Sequence, residues 1–138
     1  MSTILQLNES TIESISARPD DTVVVRFSPA ILIKSQGIPG VDSSTRWTQA
    51  GELRISEAEM EGVPAGLPVV PAGGSMACGG YKYVDMMPVP LDAPGFAQLK
   101  LRFEPGGGAV TITGEDAMLA MEGDPKYVEH IKETQPRG

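Results

Sequence analysis

The stretch FAQLKLRFEPGGGAVTITG, residues 96–114, decides the fold class. Ala97, Leu99, Leu101 and Phe103 alternate with Gln98, Lys100 and Arg102. A period of two puts the apolar set on one side of an extended chain and the polar set on the other. Val110 and Ile112 alternate with Thr111 and Thr113 in the same way. Between the runs stands PGGG (105–108), which interrupts regular structure. Two half-buried strands around a glycine-rich turn predict a β-hairpin over 96–113, turning at Gly106–Gly108. The PGGG run is not a phosphate loop. No Gly-Lys-Ser/Thr follows it, and the next element alternates as a strand.

Toward the carboxyl end, DAMLAME (116–122) keeps no single face, and reads as a third strand behind a turn at GED (114–116). KYVEHI (126–131) alternates again, as a last strand or one helical turn. Residues 132–138 are expected to fray. Toward the amino end, ILQL (4–7) is expected to pair with TIESIS (11–16) across NES. TVVVRF (22–27) is β-branched and apolar, which suits a central strand. Pro29 makes an edge, a bulge or a change of sheet before AILIKS (30–35) resumes. TRWTQ (45–49) and ELRISEAEM (52–60) read as two strands about a turn at 50–51. EGVPAGLPVVPAGG (61–74) holds three prolines and four glycines, so it reads as an irregular crossing. Its Val, Leu and Ala side chains argue for packing on a surface.

The predicted fold is all-β: an antiparallel sandwich or barrel of about eight to ten short strands, in one domain over 1–131. The alternative is an α+β domain with one short helix near 9–17 or 124–133. A chain of 138 residues buries enough surface to need no disulfide or metal. Aromatics are only 5%, so the core is built from Val, Ile, Leu, Met and Ala.

Net charge is −7, and Lys and Arg are scattered singly. Nucleic acid and anionic membranes are therefore not expected partners. One cysteine fits a reducing compartment. The amino terminus lacks a basic start followed by an apolar run, so no signal peptide is expected. The longest apolar runs, such as AILI (30–33), are too short to span a membrane as a helix. A cytoplasmic protein is expected.

SMACGGYKYVDMMPVP (75–90) concentrates chemistry. Met76, Cys78, Met86 and Met87 are the sulfur types that select copper(I). No methionine motif repeats, however, and methionine and cysteine also fill cores. The favoured reading is a strand entered through glycines and left through prolines, with Cys78 structural. His130 is the only histidine, no G-x-S-x-G elbow is present, and EAEMEG (57–62) reads as a solvated edge. No catalytic constellation, metal or cofactor is expected.

Two functional classes remain. The first is a non-enzymatic module that binds a protein partner or itself, most simply as a homodimer through an edge strand or the 61–74 segment. The second is a small-ligand-binding or catalytic barrel whose cavity is lined by Trp47, Tyr81, Tyr83 and Asp85.

Overall fold

A computed structural model describes residues 2–35, 43–62, 66–103 and 108–131. Nine strands run through them: β1 (Ser2–Gln6), β2 (Ile12–Ala17), β3 (Val23–Ser35), β4 (Ser44–Glu61), β5 (Gly73–Cys78), β6 (Tyr81–Val84), β7 (Met86–Pro88), β8 (Leu91–Arg102) and β9 (Ala109–Ile131). Every pairing is antiparallel, in the order β6-β5-β8-β9-β4-β3-β1-β7, with β2 also paired to β3. The two ends of that order are neighbours in the chain, because only Asp85 separates β6 from β7. One ribbon, Tyr81–Pro88, thus bonds to β5 with its first half and to β1 with its second. The sheet curls back on itself as a nearly closed barrel.

Asp85 makes the seam. Its N–H donates to Gly74 O, and its carbonyl accepts from the Leu7 N–H, both at 2.8 Å. Its carboxylate accepts the Gly74 N–H at 2.9 Å. Its φ of 59° is left-handed, a region that Asp enters more readily than most residues do.

The hairpin predicted from 96–114 is present, with Ala97 through Arg102 paired to Gly114 through Ala109. Ala97, Leu99, Leu101, Phe103, Val110 and Ile112 are all buried, as their alternation required. The Phe103 N–H donates to Gly108 O at 3.0 Å. Residues 104–107 of the turn, and the 132–138 tail, lie outside the described residues.

Two expected turns and one expected strand pairing are absent. Residues 45–60 form one strand, β4, with Gly51 in its middle. A Cβ at Gly51 would sit 2.7 Å from Met121 Sδ, so the glycine serves close packing rather than a turn. Residues 109–131 are likewise one strand, and GED (114–116) is a bulge within it. Val110, Ile112 and Gly114 are buried before the bulge, and Ala117 and Leu119 after it. The extra residue shifts the buried set from Val110, Ile112 and Gly114 to Ala117 and Leu119; within DAMLAME the alternation is regular, and it is the exposed Met118 that blurs its pattern in the sequence. β1 and β2 do not form a hairpin. Both pair with the same edge of β3, β2 along Val23–Phe27 and β1 along Leu32–Ser35. Pro29 stands at the junction, where the β3–β4 register also shifts. Buried Val23, Val25 and Phe27 give way to buried Ala30 and Leu32, so the bulge keeps both halves of β3 facing the core.

The α+β alternative is overturned. Residues 12–17 and 126–131 are extended and laddered, to β3 and β4. In both places cross-strand bonds satisfy the backbone, and a short local helix would forgo them. One apolar cluster takes side chains from every strand except β6, whose Tyr83 packs against it. No helix among the described residues is long and apolar enough to cross a membrane.

Candidate interaction edge

β9 is paired on both sides only as far as Leu119, where β8 begins at Leu91. β4 accompanies it on the other side to Ile131. From Ala120 to Ile131, one edge of β9 has no ladder partner among the described residues. The local sequence explains this. The chain before Leu91 is drawn to β1 instead: Met86–Pro88 pair with Ile4–Gln6, and the Val89 N–H donates to Thr3 O at 2.9 Å. Pro88 and Pro90 lack N–H groups and so suit departure from a ladder.

The free edge is irregular at first. Three residues, 123–125, stand against Gln49 alone, and Gly123 is left-handed at φ 68°. Beyond Pro125 the strand is regular apart from one extra residue between Tyr127 and Glu129. Tyr127 is 55% exposed and Val128 48%. Large apolar side chains on an unpaired edge invite another strand.

The inner face of this segment is stiffened by aromatics. Tyr127 meets Trp47 edge-on, with ring centroids 5.3 Å apart and planes at 76°. Lys34 Nζ lies 4.3 Å from the Trp47 ring centroid, within cation–π range. Trp47 Nε1 donates to Thr45 Oγ1 at 2.8 Å. His130 joins Lys34, Ser44, Thr45 and Trp47 around a shallow depression. Among the described residues no acid lines it.

On the outer face, Arg46 of β4 bridges Glu9 and Glu129, the latter at 3.2 Å. A second row spans four strands: Arg26 of β3 stands 2.7 Å from Glu122, 3.3 Å from Glu13 and 3.7 Å from Glu52. The hydrogen bond with Arg26 holds the Glu122 carboxyl below its ordinary pKa, and raises that of Arg26.

The residues singled out from sequence fall in three places. Trp47 lies on β4, against Tyr127 of the β9 edge. Tyr81 and Tyr83 lie together on β6, with ring centroids 6.3 Å apart. Tyr81 lines a depression at the Gly79–Gly80 turn with Cys78 and Phe96. Asp85 is at the barrel seam, beside Lys100 and Arg102 in another depression. Leu5, Leu53, Met76, Met87, Leu99 and Ile112 are fully buried in the core cluster. Met76, Cys78 and Met87 belong to that cluster, and burial pushes the Cys78 thiol pKa up. No group of three His, Cys, Asp or Glu among the described residues could hold a metal ion.

Lys126, Tyr127, Val128 and Glu129 were not singled out from sequence. Alternation leaves KYVEHI as a last strand or one helical turn, and does not record that its outer edge lacks a neighbour among the described residues. No family model, curated protein or solved structure matches this chain.

Proposed function

We propose that this chain is a non-enzymatic association module that binds a protein strand along the free edge of β9. The observation that carries this reading is the edge of β9 over 120–131 that has no ladder partner among the described residues, with Tyr127 and Val128 exposed on it. Strand addition uses backbone groups for affinity and alternate side chains for selectivity. The net charge of −7 supports a protein partner over nucleic acid. A lone buried thiol supports a reducing compartment, most simply the cytoplasm.

The 61–74 segment is a weaker candidate. Val69 exchanges both backbone hydrogen bonds with Ile12, at 2.8 and 3.1 Å, and Leu67 and Val69 pack on the core. Leu67 and Val69 are thus engaged within the monomer, while Val70 is exposed.

A synthetic peptide of residues 124–131 tests the edge directly. Trp47 is the only tryptophan and touches Tyr127, so its emission reports on the edge. Titration is expected to give a saturable emission change and slower amide exchange over 126–131. Unchanged emission and exchange at millimolar peptide overturn the proposal.

A further inference from the structure

The occupant of the β9 edge can be read from the edge itself. We infer that it is a second copy of this chain, added antiparallel about a two-fold axis between Tyr127 and Val128. This rests on the strand-addition reading above.

Several stretches of strand edge lack a ladder partner among the described residues, and they differ in what they offer a copy: β7 carries no charge, and Leu91–Phe96 of β8 and Ser56–Glu61 of β4 carry acids only. β2 beyond Ile12 presents Ser14, Ser16 and Ala17, with Ile15 turned to the core. β6 presents exposed Tyr81 and Val84, but its only charge is Lys82. Self-pairing there brings two lysines together with no acid. β9 alone carries both signs of charge around exposed apolar residues.

In an antiparallel pair of identical strands, residue numbers opposite one another have a constant sum. With the axis between Tyr127 and Val128, Lys126 faces Glu129 of the partner copy, and Glu129 faces the partner's Lys126. Tyr127 faces the partner's Val128, and this contact also occurs twice. Shifting the register by one residue in either direction removes both Lys–Glu pairs. Opposite charges and aromatic–β-branched pairs directly across are the favourable cross-strand combinations.

The faces agree as well. Lys126 stands opposite Thr48, and Glu129 opposite Arg46, so both lie on the outer side of the sheet. Tyr127 stands opposite Trp47 on the inner side, and Val128 is the extra residue beside it. The ion pairs therefore form on the outer face, with Tyr127 on the inner one. Lys126 has no ion pair among the described residues. Glu129 meets Arg46 through Oε2, which leaves Oε1 for the incoming lysine. An isologous contact of this kind closes at two copies. A ladder centred on residues 126–129 is a small interface, so the dimer is expected to be reversible.

Light scattering across a hundredfold dilution of the full chain tests this. Wild type is expected to pass from dimer to monomer. Lys126→Glu, which sets two acids against two acids, should weaken association at least about tenfold. The exchange Lys126→Glu with Glu129→Lys restores opposite charges and should return dissociation to within about threefold of wild type. A wild-type monomer that still binds the 124–131 peptide overturns the second copy and leaves the edge reading standing. A monomer that binds no peptide removes both. A dimer indifferent to Lys126→Glu, or one the double exchange does not restore, overturns the register.

Discussion

Ser10 shows how one buried hydroxyl fixes the amino-terminal topology. It is fully buried. Its hydroxyl donates to Gln6 O at 2.7 Å and accepts the Ile31 N–H at 2.8 Å. It thereby ties the β1–β2 turn to β3. Ser10→Ala would leave the Ile31 amide without a partner in an enclosed site. The expected cost is about 1–3 kcal/mol in urea unfolding, with little change in the denaturant slope. Acidic residues do similar local work at irregularities. Asp21, Glu57, Asp85 and Asp116 all have left-handed φ, from 47° to 63°, and Asp116 accepts the Gly95 N–H at 2.8 Å. Part of this chain's acidity therefore shapes its backbone.

The long strands β3, β4 and β9 are registered by charge as well as by apolar pattern. Arg26 faces carboxylates from β2, β4 and β9 at once. The sign of the Glu122 shift sets its pH dependence. Its folded pKa is depressed, so its stabilisation is present above the ordinary carboxyl value and lost as pH falls through the folded one. Glu122→Gln is therefore expected to lower stability slightly near pH 7, and to flatten the fall in stability below about pH 4.5. Both side chains are solvated, so the effect is modest. Urea midpoints of wild type and variant at intervals between pH 3 and 7 measure it. An unchanged acid slope would mean that other carboxylates dominate.

At the scale of the whole molecule, barrel closure depends on the ribbon that carries Asp85. Asp85→Ala removes the acceptor for the Gly74 N–H and strains alanine at positive φ. It should cost about 1–3 kcal/mol. Asp85→Asn keeps an acceptor and tolerates that backbone, so it should cost clearly less. Urea unfolding of the two variants side by side gives the comparison, and equal losses would discount the seam. If the barrel closes here, β9 remains the longest unpaired edge among the described residues, and the interface inferred above extends the sheet rather than opening it.

By itself the sequence determined the all-β class, the 96–113 hairpin, the apolar core and the engagement of Pro29 in a bulge or switch. Those features follow from side-chain alternation and from what proline and glycine forbid, which act over a few residues. Only the tertiary structure decided that 45–60 and 109–131 run unbroken, because a bulge and a turn look alike locally. Trp47, Tyr81 and Asp85 are a second case. Their residue types suggested one cavity, but strand order assigned them to β4 against the β9 edge, the Gly79–Gly80 turn and the seam. The free edge was illegible for the same reason. Whether a strand has a neighbour is a property of pairings between segments far apart in the chain, and no local pattern records it.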